Sequence, residues 1–189
     1  SVLSGPAGGV VGVVKTSLSE KKKKIIGFDM GGTSTDVCHY SGVYERTVNS
    51  VIDGVRITAP MMSIHTVAAG GGSLLKYDGE QMKVGPESSG ANPGPVCYAN
   101  EGLLSLTDAN IVTGRLQPDF FPKMFGKMGN SAISREMAFE ALKPIASEMG
   151  KTVEELAEGF IRIAVDNMAN AIKKISVEKG YDITQYCLS

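Results

Sequence analysis

Ile25-Ile-Gly-Phe-Asp-Met-Gly-Gly-Thr-Ser-Thr-Asp-Val37 is the stretch on which the reading of this chain turns. Ile25, Ile26 and Phe28 begin a buried strand that reaches Asp29. Gly31 and Gly32 break it, three hydroxyl residues follow, and an extended pattern resumes at Thr35. With no Cβ, the glycines permit a tight reversal and close approach of a ligand to the backbone. Amides in such a turn converge on an anion, and Thr33, Ser34 and Thr35 add hydroxyl donors. A carboxylate does not bind phosphate. Asp29 beside an anion cradle therefore points to Mg2+, held directly or through water, or to a polarised attacking water. Asp36 adds a second acid seven residues on. The competing reading is an ordinary hairpin with glycines in its turn.

Bulk properties narrow the setting. A chain of 189 residues suits one domain, or one domain with an elaborate insertion, and 42% hydrophobic residues can form a core. A net charge of −1 gives no general attraction for polyanions. The one basic run, Lys21 to Lys24, has no interleaved aromatics, so a solvated loop is expected and nucleic acid is not. Cys38, Cys97 and Cys187 are scattered and odd in number, and two histidines are too few for a zinc site of the usual spacing. That pattern favours a reducing cytoplasmic setting. No apolar run approaches the ~20 residues of a membrane span.

From the central stretch outward, Ser4-Gly-Pro-Ala-Gly-Gly-Val10 reads as a helix start capped by Ser4, with Val10, Val11, Val14 and Leu18 on one face. Residues 25–29, 35–40 and 44–52 predict an antiparallel β-meander. His39 is expected to be an ordinary strand residue. From about 53 to 106 short strands alternate with Gly/Pro-rich loops, an insertion in texture. Two of its loops stand out: Ala68-Ala-Gly-Gly-Gly-Ser73, and the segment from Val84 to Tyr98 with three prolines and three glycines. Proline density argues for a shaped loop that lines a pocket, against a simple surface excursion. Residues 107–180 read as helical. Thr107 is the expected cap of a short helix, with Asp108 at its positive end and Pro118 ending it. Residues 119–130 read as a hydrophobic loop folded on the core. An amphipathic helix spans 134–149, with Met137, Ala138, Ala141, Leu142, Ile145 and Met149 on its stripe, kinked or split by Pro144. Thr152-Val-Glu-Glu155 is a capping box opening the longest helix, stopped by Gly180. Residues 182–189 read as another strand.

The Asp29-to-Asp36 pattern resembles the second phosphate loop of the actin, sugar kinase and Hsp70 superfamily. Further segments agree in order: Ser4-Gly-Pro-Ala-Gly-Gly-Val-Val11, Thr66-Val-Ala-Ala-Gly-Gly-Gly-Ser73, Val84-Gly-Pro-Glu-Ser-Ser-Gly-Ala91, Pro93-Gly-Pro95, Thr107-Asp-Ala-Asn110 and Gly114-Arg-Leu116. Together they resemble the hydantoinase A / 5-oxoprolinase family over essentially the whole chain. The resemblance implies a mixed α/β fold: an actin-like ATPase (ribonuclease H-like) half-domain with a β-meander, the Gly/Pro-rich insertion and C-terminal helices. It implies ATP-dependent opening of a cyclic amide such as 5-oxoproline or hydantoin through a phosphorylated ring, with ATP and Mg2+ as cofactors. It further implies the rest of a longer chain as one partner and a hydantoinase B-type subunit as another. Alternatives are the ATP-binding subunit of an acetone carboxylase-like enzyme and a non-catalytic actin-like module.

Carried over by position, Asp29 is the expected catalytic and metal-binding acid. Gly31, Gly32, Thr33 and Ser34 are the expected phosphate contacts, Asp36 belongs to the same nucleotide site as a brace of the hairpin or a reach to the metal shell, and Gly70, Gly71, Gly72, Ser73 and Glu87 are the expected substrate lining. The family normally has another Asp-x-Gly-Gly-Thr upstream and a Phe-Gly-Gly-Ala-Gly segment downstream that helps hold adenosine. The expectation is therefore of one central piece carrying one wall of the nucleotide site, inactive alone.

Overall fold

A computed structural model describes residues 4–52 and 55–189. In chain order the elements are α1 (Ser4–Ser19), β1 (Ile25–Met30), β2 (Thr35–Tyr40), β3 (Arg46–Ile52), β4 (Val55–Met62), β5 (Ile64–Val67), β6 (Ser73–Tyr77), β7 (Met82–Ser88), α2 (Leu106–Val112), α3 (Arg135–Glu148), α4 (Val153–Ile175) and β8 (Cys187–Leu188). The chain forms two compact units: residues 1–29, 35–67 and 169–189, and residues 30–34 and 68–168.

The first unit is built on a four-stranded sheet in the order β5-β2-β1-β8. Successive side chains of a strand point to opposite faces. Accordingly Ile25 and Cys38 pack with Val10 and Val14 of α1, while Ile26 and Val37 pack with Ala171 and Ile175 at the end of α4. Covered on both faces, β1 reads as a continuous apolar run. β8 pairs with it in parallel, Ile25 opposite Cys187.

The meander differs from expectation in its third strand. β2 pairs antiparallel with β5, Thr35 opposite Val67, while β3 pairs with β4 in a separate two-stranded sheet. Among the described residues a single bridge, Tyr40 to Tyr44, joins the end of β2 to the segment before β3. The β3–β4 hairpin is thus an excursion, and β5 returns to the open edge of β2. The α1 stripe also differs. Val10, Val14 and Ser17 are buried and Leu18 is exposed, the Ser17 hydroxyl donating to Ser189 Oγ at 3.0 Å. The expected Ser4 cap lies outside the described side chains.

In the second unit, β6 and β7 form an antiparallel hairpin, and α2 packs on α3 and on β6. β7 continues through Ser88, so the first part of the Gly/Pro-rich segment is strand. Pro144 lies inside an unbroken α3, whose buried stripe is Ala138, Leu142 and Ala146, with Met137 exposed. The Thr152 box forms as read: Glu155 N–H donates to Thr152 Oγ1 at 3.1 Å and Thr152 N–H to Glu155 Oε2 at 2.9 Å. α4 ends at Ile175, and a short turn through Lys179 precedes Gly180 at φ 82°. Residues 119–130 do not fold wholly on the core. Phe120, Met124 and Met128 are 83%, 63% and 84% exposed. Backbone bonds from Phe125 N–H to Ser131 and from Gly126 N–H to Tyr98 hold the loop so that Phe125, beside Tyr98, faces inward instead. Among the described residues no helix is long and apolar enough to cross a membrane.

Candidate functional site

The turn between β1 and β2 is closed by one internal bond, Gly31 N–H to the Ser34 carbonyl at 2.8 Å. Gly31, Gly32 and Thr33 are exposed. Neither glycine has positive φ, so the reversal does not demand glycine for its backbone angles. A Cβ built on Gly32 would meet nothing within 4 Å, so the position is open from outside.

What aims this loop is the glycine run at 70–72, in the same unit. Gly71 N–H donates to the Gly31 carbonyl at 3.0 Å, and Gly72 N–H donates to the Gly32 carbonyl at 2.6 Å. In a trans peptide the carbonyl and the following N–H point in opposite directions. Turning the Gly31 and Gly32 carbonyls toward the glycine run therefore turns the Gly32 and Thr33 amides away from it. Neither amide donates to any described residue. Two successive outward amides with a hydroxyl beside them are an arrangement able to accept an anion.

Gly70 is the close approach in this arrangement. A Cβ there would lie 2.7 Å from both the Gly31 and Gly32 carbonyl oxygens. Gly70, Gly72 and Ser73 are buried, and the Ser73 hydroxyl accepts the Gly70 N–H at 2.9 Å. These residues, expected from sequence to be substrate lining, pack against the turn at residues 31 and 32. Glu87 is exposed and ion-paired to Lys76 at 2.8 Å, which holds its carboxyl below the usual range.

In the other unit, Asp29 and Asp36 both line a small cavity of about 20 Å3 between α1 and strands β1 and β2. That is room for about one water-sized occupant. Asp29 is exposed, with its Oδ2 3.7 Å from where a Gly9 Cβ would stand, and it makes no ion pair with a described residue. Asp36 Oδ1 accepts the Thr66 hydroxyl at 2.6 Å. Two carboxylates, one of them unpartnered, fit Mg2+, which takes one or two carboxylates and keeps several waters. Among the described residues no group of three or more His, Cys, Asp or Glu gathers, so a caged transition metal does not fit.

His39 is structural. It is 3% exposed, its Nδ1 lies 2.7 Å from Glu45 Oε1, and its ring stacks on Tyr181 at 4.0 Å between centroids. Glu45 also accepts from Lys179 and the Tyr181 hydroxyl.

Sequence reasoning missed what Thr107 and Asp108 do. The cap residue of α2 is Ser105. Thr107 instead donates both its N–H and its hydroxyl to the Gly71 carbonyl, each at 2.8 Å. Asp108 is fully buried and accepts three backbone amides, from Val96 at 3.2 Å, Cys97 at 2.7 Å and Ser105 at 2.8 Å. Burial pushes its carboxyl above the usual range against those donors, and burial with the adjacent Asp108 pushes the Cys97 thiol up. The signal was present as Thr-Asp at a helix start, but capping rules assign the nearest hydroxyl to the helix itself.

Comparison with known proteins bears on this geometry. The hydantoinase/oxoprolinase family model matches residues 1–189. The 5-oxoprolinase of Dictyostelium discoideum is 43% identical over 100% of this chain and 17% of its own length. The nucleotide-free structure of acetone carboxylase superposes with a TM-score of 0.83 at 28% identity, covering 99% of this chain and 26% of that one. The ATP-dependent caprolactamase of Pseudomonas jessenii superposes with a TM-score of 0.78 at 33% identity, covering 96% and 26%. Its subunit alpha is 38% identical over 87% of this chain and 23% of its own length. The chain spans about one sixth of the length of the first curated relatives it matches.

Proposed function

This chain belongs to the hydantoinase/oxoprolinase family, and from that premise we propose that it is the phosphate-holding part of an ATP-dependent cyclic-amide hydrolase acting on 5-oxoproline or a related lactam. The observation that carries the reading is the pair of outward amides, Gly32 and Thr33, held by the glycine run behind them. They donate to phosphate oxygens, and the Thr33 and Ser34 hydroxyls add to them. Mg2+, when bound, offsets phosphate charge. Asp29 would hold it directly or through water, and Asp36, already tied to Thr66, would support it.

An unactivated five-membered lactam hydrolyses slowly. Transfer of the terminal phosphoryl group to the ring carbonyl oxygen releases ADP and makes the ring carbon electrophilic. Water adds at that carbon, the C–N bond breaks with the nitrogen taking up a proton, and a second water hydrolyses the resulting acyl phosphate to the acyclic amino acid and phosphate. Amides that meet the transferring phosphoryl oxygens act by positioning and charge stabilisation.

Similarity to 5-oxoprolinase at 43% identity favours a cyclic amide, and the fold match to acetone carboxylase supports ATP-dependent ketone carboxylation as the second reading. In the full-length protein, phosphate release from ATP should depend on 5-oxoproline or hydantoin and not on acetone with bicarbonate. Dependence on acetone alone would overturn the first reading in favour of the second. The alpha-subunit name of the caprolactamase relative favours a companion subunit of hydantoinase B type. Copurification from the native source tests that partner. A cytoplasmic location is part of the same proposal, because the reaction consumes ATP.

A further inference from the structure

Behind the two outward amides the peptide groups line up in two hydrogen-bonded chains within the second unit. The first begins at Thr107. Its N–H and hydroxyl donate to the Gly71 carbonyl. The other end of that same peptide is Gly72 N–H, which donates to the Gly32 carbonyl at 2.6 Å. The other end of that peptide is the Thr33 N–H. The second begins at Ser89, whose N–H donates to the Gly72 carbonyl at 2.8 Å. It passes through Ser73 N–H to the Gly70 carbonyl at 3.1 Å and through Gly71 N–H to the Gly31 carbonyl at 3.0 Å, and ends at the Gly32 N–H. Every dipole in each chain points the same way. Chains of hydrogen bonds polarise one another, so each terminal N–H is a stronger donor than an isolated amide.

We infer that Thr107 is a positioning residue for the Thr33 amide, acting through the 71–72 and 32–33 peptides, and that Ser89 is its counterpart for the Gly32 amide. The ligand it serves is a phosphoryl oxygen. In that respect the inference rests on the proposed function, although the hydrogen-bond chain does not. Thr107 is the stronger lever because its hydroxyl donates to the Gly71 carbonyl at 2.8 Å, whereas the Ser89 hydroxyl donates to the Gly72 carbonyl at a longer 3.3 Å. Three backbone amides on the neighbouring Asp108 fix the start of α2 and hold Thr107 in register.

The test uses the full-length protein with Thr107→Val, which removes the hydroxyl at nearly constant volume, and Thr107→Ser, which restores it. Thr107→Val should raise KM for ATP about three- to tenfold, the equivalent of one hydrogen bond, while KM for the cyclic amide holds. Hydrogen exchange at the Gly72 amide should quicken in the same variant. Thr107→Ser should match wild type in both, and Ser89→Ala should change KM for ATP less than about twofold, because the hydroxyl bond it removes is long at 3.3 Å. Thr107→Ala removes the same hydroxyl and is read the same way if Thr107→Val does not fold. Wild-type KM and wild-type exchange in Thr107→Val would overturn the inference. So would equal damage in the Val and Ser variants, which would assign the effect to packing. If no cyclic amide stimulates ATP hydrolysis by the wild-type protein, the proposed function fails. Titration with Mg-ATP and with inorganic phosphate then decides the inference separately: a weakened Thr107→Val supports it, and no binding even by wild type ends it.

Discussion

Gly70→Ala is the change that most directly strains the loop brace. Its Cβ would stand 2.7 Å from two carbonyl oxygens, about 0.7 Å inside the 3.4 Å at which ordinary contact begins. The atoms it meets are backbone, so no side chain can swing aside. If the loop yields by that amount, the bond from Gly71 N–H to the Gly31 carbonyl lengthens from 3.0 Å to about 3.7 Å, beyond hydrogen-bonding range. The loss of that bond and the weakening of its neighbour should cost about 1–2 kcal/mol of stability. The outward amides are then no longer fixed. Hydrogen bonds to a charged group are worth about 1.5–3 kcal/mol, so mis-aiming one of them weakens nucleotide binding roughly ten- to hundredfold.

The assay is urea unfolding together with KM for ATP in the full-length protein, with Gly32→Ala as the companion. A methyl at Gly32 meets no described atom, so that variant should keep its stability within about 0.5 kcal/mol. If a ligand approaches there, it too should bind nucleotide less well. A Gly70→Ala protein as stable as wild type, with the same KM for ATP, would refute the bracing argument. A Gly70→Ala protein that is less stable yet binds ATP normally would show that the brace serves the fold alone.

Three further outcomes follow from the same geometry. Asp29→Asn should leave unfolding unchanged, because the carboxylate has no ion-pair partner among the described residues, yet lower ATP-dependent turnover on the order of a hundredfold, measured across a Mg2+ titration. Asp108→Asn should destabilise by about 2 kcal/mol or more in urea unfolding, since an amide nitrogen would face backbone donors that now meet an oxygen. Burial raises the Asp108 carboxyl, so the folded state holds its proton more tightly than the unfolded state does. Its contribution to stability therefore falls as pH rises from the ordinary carboxylate range through the raised value, and the Asn variant should lack that slope. Glu45 runs the opposite way. Burial opposes its ionisation, but the Lys179 ammonium, with His39 and Tyr181, holds it below its usual range. It stabilises above the ordinary carboxylate pKa and loses that contribution as pH falls through the lowered value, so Glu45→Gln should be about 1–2 kcal/mol less stable near neutrality, and the gap should narrow in acid.

The parts of the fold that were legible in sequence are those where one local signal decides. Ile25 and Ile26 ahead of Asp29 and two glycines announce a strand and a turn. Thr152 and Glu155 announce a helix start, and the bonds between them form as read. Partner choice was not legible. Alternating residues in 44–52 specify a strand but not its neighbour, and β5 took the edge of β2. The α1 face was misread at Leu18 because the buried stripe runs through a polar residue, Ser17, whose hydroxyl finds Ser189 across 172 residues of sequence. For the site, the loop could be named but its aim could not. Three consecutive glycines signal permissiveness, but not that the space beside Gly70 is taken by another stretch of backbone.

On the proposed reading, the charge balance of residues 25–45 explains why acids accompany the phosphate-holding turn in the sequence. From residue 25 to residue 45 the chain has no lysine or arginine, while Asp29, Asp36 and Glu45 are all acidic. Backbone amides supply partial charges only, and a triphosphate carries several full ones. A lysine would offset some of that charge in every state of the nucleotide. On the proposed reading, a carboxylate without an ion-pair partner among the described residues favours the nucleotide together with a divalent cation, and leaves the ion-free form repelled. The two acids are also unequal. Asp36 has one oxygen committed to Thr66, while Asp29 has both free of ion pairs with described residues. On the proposed reading the loop therefore divides its work: Gly32 and Thr33 recognise oxygens by direction, and Asp29 recognises the cation that makes their approach favourable.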